Sequence, residues 1–281
     1  MTWVRTNAES FCPLCKSNNN ILLHKNHIAL FKCRECGIIF NNTYQNIDYN
    51  DDYFLGQYKE QYGKTYIEDF DNIYAASLRR IKRILEFNRN ANIPGSSLLD
   101  IGSAMGFFLK AALDSGIKNV LGVEVSVFAS KYCLEKLKIN VINSSFSDIS
   151  KKKQFDIITA WYFVEHSYDS LSIFRKIFDL LNVNGVFAFS IPSFFGPQYL
   201  FNRAEWFKMH PVDHRIDFSP STVKKFLKKI GFRKIFVFPG GIHPERIISE
   251  NSVFYKPFTK VYSACSRWFS FSDTIEVFAL K

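Results

Sequence analysis

The chain has no run of about 18 consecutive apolar residues, which excludes a helix long and oily enough to cross a bilayer. Its opening, Met-Thr-Trp-Val-Arg-Thr-Asn-Ala-Glu-Ser, lacks the charged and apolar regions of a signal peptide. A cytoplasmic location is therefore expected. Acid is also short: 26 Asp and Glu face 36 Lys and Arg, a formal charge of +10. Such a surplus suits a polyanionic partner, whether RNA, a nucleotide-sugar diphosphate or anionic headgroups. At 281 residues there is enough chain for one substantial core and a small accessory module, with 30 Phe and 13 Tyr to fill it.

Cysteine is sparse at six, yet four of the six fall in two pairs, Cys12-Pro-Leu-Cys15 and Cys33-Arg-Glu-Cys36. Each pair reads as a knuckle aiming two sulfurs at one point, and two knuckles make the tetrahedral thiolate set that zinc prefers. A reducing compartment argues against disulfides, and a redox dithiol needs only one pair. Four thiolates leave no open position for water, so this zinc is expected to be structural. His24 and His27 fit the hairpin between the knuckles. Residues 1–42 are thus expected to form a zinc ribbon. Cys133, within the helical pattern Phe128–Leu137, reads as a small buried hydrophobe.

Residues 43–92 lack the Gly, Ser and Pro bias of a flexible linker. They form a Tyr- and Asp-rich connector, with a helix from about Glu68 to Asn88 and a break at Pro94-Gly95 before the first strand of a domain spanning 93–281. Lys224, Lys225, Lys228 and Lys229 share a helix with the apolar stripe Val223, Phe226, Leu227 and Ile230; the plain reading is a solvated face.

The chemistry-bearing motif is Leu98-Leu-Asp-Ile-Gly-Ser-Ala-Met-Gly106, followed by Val120-Leu-Gly-Val-Glu124. An apolar strand ends in an acid and turns through small residues into a helix, and a second strand ends in another acid. That is how a nucleotide-type ligand is gripped at the carboxyl edge of a parallel sheet. The frame Gly102-x-Ala104-x-Gly106 is five residues long, where dinucleotide loops use six. The preceding Asp100 would repel a pyrophosphate but would welcome an ammonium and a sulfonium. This loop resembles motif I of the class I S-adenosylmethionine (SAM) dependent methyltransferases. The resemblance continues through Phe155–Trp161, Val164-Glu165-His166, Phe178–Phe189 and His214-Arg-Ile-Asp-Phe-Ser-Pro220.

The resemblance implies an α/β fold: a Rossmann-like seven-stranded sheet with helices on both faces, preceded by the small zinc ribbon. It places the methionyl group of SAM by Asp100, Gly102, Ala104 and Gly106, the ribose on Glu124, and the adenine against Val125 and the Ser145–Phe146 segment, with Ser145 or Asp148 at its edge. Ala104 departs from the usual Gly, adding a methyl where positive φ is wanted. Trp161 and Tyr162 are expected to line the methyl-transfer channel. Tyr53, Phe54 and Tyr62 are candidates to cover the cofactor. Methyl transfer to an alcohol also needs a base, and His166, oriented by Glu165, or failing that His214, suits the task near neutral pH; His210 and Asp213 stand behind them. The ubiquinone-pathway relatives carry a further acid where this chain has Tyr162, so a catalytic divalent metal does not carry over.

For the acceptor, a four-cysteine module before this domain resembles sugar C-methyltransferases and surface-polysaccharide relatives. The sequence ends at residue 281 without the former's extra carboxy-terminal domain, which makes O-methylation as plausible as C-methylation. A small molecule or saccharide is the expected acceptor. An RNA base is the alternative, although the Asn-Pro-Pro-aromatic motif of amino-group methylation is replaced by Ala160-Trp-Tyr-Phe163. A catalytically dead SAM fold is the third.

Overall fold

A computed structural model describes residues 10–45, 47–87, 95–150 and 153–281. The expected helix end at Asn88, Pro94 of the expected break, and Lys151 and Lys152 lie outside the described residues.

The amino-terminal part is a hairpin of β1 (Asn20–Lys25) and β2 (Ala29–Cys33), followed by β3 (Ile39–Asn41). The connector folds into a short α1 (Tyr58–Tyr62) and a long α2 (Phe70–Phe87). There follow β4 (Ser97–Ile101), α3 (Phe107–Asp114), β5 (Asn119–Glu124), α4 (Val127–Tyr132), β6 (Val141–Asn143) and β7 (Phe155–Trp161). Next come α5 (Ser170–Leu180), β8 (Leu181–Pro192), α6 (Pro197–Phe201), α7 (Arg203–Met209), β9 (Ile216–Asp217) and α8 (Pro220–Ile230). The chain closes with β10 (Ile235–Pro239), α9 (Tyr255–Phe269) and β11 (Thr274–Leu280).

Seven strands make the main sheet in the order β10-β11-β8-β7-β4-β5-β6, with β11 antiparallel to both its neighbours and the other described pairings parallel. The central strands are nearly unbroken apolar runs because both faces are covered. Leu99 and Ile101 of β4 face a layer with Phe174 and Ile177 of α5 and Val223 and Phe226 of α8. Leu98, pointing the other way, meets Ile81 and Ile84 of α2 and Leu109 of α3. On α8 Val223, Phe226 and Leu227 are buried, Ile230 is half-buried and all four lysines are exposed. Sequence order reverses direction between β4 and β7, and the carboxyl ends of strands at such a switch point are where open α/β sheets bind ligands.

A second sheet, β1-β2-β3-β9, joins the amino-terminal module to the catalytic body. Ile39 pairs with Asp217 and Phe40 with Ile216. Asn41 N–H donates to Arg215 O at 3.1 Å, and the Arg215 guanidinium donates back to Asn41 O.

Candidate active site

On the cofactor side, the turn after β4 is folded back onto β5: the N–H groups of Gly102 and Ser103 both donate to Val123 O, at 2.8 and 3.1 Å. Gly102 and Gly106 have φ of +68° and +76°. A Cβ on Gly102 would meet the Phe163 ring at 2.8 Å, and one on Gly106 would meet Cys133 Sγ at the same distance. Ala104 was expected to resist a positive φ, but it adopts +48°. The reason is local: its N–H donates to Glu124 Oε2 at 2.9 Å, and the Cys133 thiol lies 3.4 Å from its carbonyl. Left-handed backbone costs an L residue about 1–2 kcal/mol, within reach of a charge-assisted bond. Met105 turns away into a cluster with Phe54 and Phe107.

Glu124 is buried, and each carboxylate oxygen takes one backbone N–H, Ala104 on one side and Ser126, at 2.9 Å, on the other. Each keeps acceptor capacity. Burial pushes its pKa up. Asp100 is also buried, and burial raises its carboxyl to about 7 against the opposing pull of a 2.6 Å hydrogen bond from Thr159 and of Arg80. Two desolvated acids and a bare-backbone turn fit a ligand that offers an ammonium and a pair of hydroxyls.

Val125 is 52 % exposed beside Glu124, and Ser145 is exposed, its hydroxyl accepting from Ser147 N–H at 3.2 Å. Phe146 and Trp161 both make packing contacts. The Phe146 ring is buried in the core under Lys176, whose ammonium lies 5.0 Å from the ring centre, so only its main chain can serve a ligand. The Trp161 ring packs on Phe108 at 5.2 Å with the Arg80 guanidinium 4.2 Å over it, in the layer of α2 and α3. Tyr162 is 42 % exposed at φ +53°.

The other side of this edge is built of histidines and acids. His166 Nδ1 lies 2.7 Å from Asp213 Oδ2. Burial pulls its pKa down, but Asp213 and Glu165 outweigh this and hold it above 6.5. Asp213 is correspondingly lowered despite the burial that pushes it up. The His214 ring meets His166 edge-on at 4.8 Å, and burial together with the neighbouring histidines drops it well below 6.5. His210 is locked between Asp217 and Pro211 O, both 2.9 Å away.

Glu165 was expected to orient His166, yet both its oxygens are buried without a partner, and burial raises it to about 7. Asp213 Oδ2 is the nearer carboxylate, an electrostatic partner 2.7 Å from Nδ1 that lies off the line of a hydrogen bond. Ligating atoms of Glu165, His166 and His214 lie within 4.8 Å of one another, as do those of His210, His214 and Asp217.

The connector roofs this edge. Tyr49 sits edge-on to His166 at 6.1 Å, and Tyr44 donates to His166 O at 2.6 Å. Tyr53, raised to about 12 by burial first, feels Glu124, Glu165 and Asp213 together, so it spans both sides. Phe54 is buried against Tyr66 and Phe128, and Tyr62 is 53 % exposed. Tyr49 and Tyr44 were not singled out by sequence; nothing but their place in a Tyr-rich run marks them.

A family profile described as "Methyltransferase domain" matches residues 72–236, more than half of the chain. The chain belongs to this family. Solved structures carry the same fold. A SAM-dependent methyltransferase from Archaeoglobus fulgidus is 19 % identical with a TM-score of 0.56, covering 83 % of this chain and 100 % of its own. A possible histamine N-methyltransferase from Thermotoga maritima is 15 % identical at 0.56, covering 82 % and 97 %. The plantazolicin methyltransferase BpumL, solved with SAH, is 12 % identical at 0.52, covering 80 % and 87 %. No protein of curated function matches.

The methyltransferase also carries the four-cysteine cluster its sequence suggested. Cys12 and Cys36 sulfurs are 3.5 Å apart, Cys15 and Cys33 3.4 Å, all four within 4.8 Å and none in a disulfide. Tetrahedral zinc with bonds of about 2.3 Å sets its sulfurs about 3.8 Å apart, so the set fits. Gly37, at φ +78°, closes the second knuckle by donating to Cys33 O at 3.0 Å.

Proposed function

We propose that this SAM-dependent methyltransferase methylates a hydroxyl of a small-molecule or saccharide acceptor, a nucleotide sugar or surface-polysaccharide intermediate being the class in view, with His166 as base. The supporting observation is the 2.7 Å ion-pair distance between His166 Nδ1 and Asp213 just past the carboxyl end of β7, on the same sheet edge as Glu124 at the end of β5. A carboxylate at Nδ1 favours the proton there and leaves Nε2 as the acceptor. SAM, when bound, supplies a methyl on a sulfonium whose sulfur departs with the bonding electron pair. Asp100, the Gly102–Gly106 turn and Glu124 would hold it, Val125 and Ser145 flanking the base. His166 Nε2 would take the hydroxyl proton as the new C–O bond forms, and Tyr49 and Tyr53 would keep bulk water off. His214 is the lesser base because its pKa is pushed well below the working range. Zinc on Cys12, Cys15, Cys33 and Cys36 would be structural, its four positions being filled.

The deciding experiment follows SAM consumption by the purified protein with nucleotide sugars and total RNA as rival acceptors. The expected outcome is turnover on a hydroxyl-bearing saccharide that His166→Asn lowers at least about a hundredfold. RNA-dependent turnover with a steep salt slope would replace the acceptor reading.

A further inference from the structure

The insertion between β10 and β11 stands at the catalytic rim. Pro239 at the end of β10 pairs with Ile275, and Thr274 opens β11 opposite Pro192 at the end of β8. The segment from Gly240 to Asp273 therefore leaves and rejoins the sheet at the edge that bears Trp161 and Tyr162. Its helix α9 has two apolar faces where a surface helix needs one. The inner face is accounted for: Tyr262 is buried, with its ring near those of Phe258 and Phe271.

The outer face is not. Phe254, Pro257, Val261, Ala264 and Trp268 recur at i, i+3, i+7, i+10 and i+14, and all are exposed, Phe254 at 69 % and Trp268 at 78 %. That spacing makes one continuous stripe along the helix. Val253 and Phe269, also exposed, lengthen it. Single exposed apolar residues are ordinary, but a contiguous row of them marks an interaction surface. Alongside run Lys256, Lys260 and Arg267, all exposed. No acid occurs in α9, and among the described residues none of the three cations has an ion-pair partner.

We propose that α9 docks this protein on an anionic lipid bilayer, the aromatic stripe entering the headgroup–acyl boundary and the cations lying on lipid phosphates. Charge complementarity selects this occupant. A second copy seated on the same stripe would bring two rows of Lys256, Lys260 and Arg267 together with no acid between them. A bilayer offers apolar depth for Phe254, Val261 and Trp268 and negative charge for their neighbours at once. Docking in this way brings the carboxyl edge of the sheet close to the headgroup layer. It requires only the outer face of α9 and holds whatever the methyl acceptor is.

The test is co-sedimentation of the full-length protein with vesicles of mixed phosphatidylglycerol and phosphatidylcholine, against phosphatidylcholine alone, at low salt. The expected result is binding to the anionic vesicles only. The combined Lys256→Gln, Lys260→Gln and Arg267→Gln variant should lower the partition coefficient about a hundredfold, and Trp268→Asp should lower it at least tenfold. Both should melt like the wild type, since the altered side chains are exposed. A wild-type chain that stays in the supernatant with anionic vesicles overturns the proposal. So does a triple variant that binds as well as the wild type, or a soluble dimer that Trp268→Asp dissolves while vesicles remain bare.

Discussion

The two sides of the catalytic edge are held by different means. On the cofactor side, the turn from Gly102 to Gly106 is fixed by its N–H groups donating to the Val123 carbonyl and the Glu124 carboxylate, about twenty residues on. On the acceptor side, His166 is held by Asp213 and Tyr44, the latter 122 positions away, and Arg215 is tied to Asn41 across 174. The first side is a local fold of one strand-turn-helix unit. The second is braced by the amino-terminal module, which docks through β3 and β9. Damage to the module should therefore impair acceptor chemistry while sparing cofactor binding.

The largest effect should come from Cys33→Ser. Structural zinc contributes about 10–16 kcal/mol of apparent folding free energy in small zinc domains, so the module should lose its metal and unfold. With β3 gone, the loop carrying Asp213 and His214 loses its strand partner. Zinc analysis, turnover and SAM calorimetry on one preparation should give substoichiometric metal, little turnover and near-normal SAM affinity. Wild-type turnover in a metal-free variant would dissolve the distinction between the two sides.

Next in size is His166→Asn, expected to cut turnover by about 10²–10⁴ with SAM binding intact. Asp213→Asn sharpens the point through pH. Asp213 and Glu165 hold His166 above 6.5, so the wild-type rate should rise through a midpoint above that value and the variant's midpoint should fall. Stability has the opposite sense. A raised histidine stabilises the fold below its unfolded pKa, and that stabilisation fades as pH climbs through the folded value. Asp213, being lowered, contributes above its unfolded value and loses that contribution on acidification. The melting difference between wild type and Asp213→Asn should thus be widest between the ordinary values of 3.8 and 6.5 and shrink above. A difference that grows toward alkaline pH would break the pairing.

What could be read from sequence divides along the same line. The cysteine knuckles, the 98–106 turn, Glu124 and the strand at 155–161 are contiguous runs whose spacing alone states their geometry. The choice of Asp213 over Glu165 beside His166 is not written locally, because it depends on how residues 210–217 fold back over the end of β7. The packing of Trp161 is not written locally either: an aromatic at a strand end looks the same whether it faces a ligand or the α2–α3 layer. No chemistry-bearing motif marks α9, although the spacing of Phe254, Val261 and Trp268 carries a usable helical signal.

A smaller change probes the cofactor turn by itself. Ala104→Gly relieves the left-handed alanine, worth about 1–2 kcal/mol, while freeing the unfolded chain at a cost of about 0.5–1 kcal/mol. The net gain in chemical denaturation should be no more than about 1.5 kcal/mol, with SAM affinity equal or tighter. A large loss of affinity would mean that the Ala104 methyl is itself a contact.

The central claim is that the turn at 100–106 and the tip of β5 form a SAM site. Its most direct test is isothermal titration of SAM into the wild-type protein and into Glu124→Ala. One site per chain is expected, and removal of Glu124 should weaken binding at least tenfold, since each hydrogen bond to a charged acceptor contributes about 1.5–3 kcal/mol. No binding to the wild type, or the same dissociation constant in both proteins, would contradict the account.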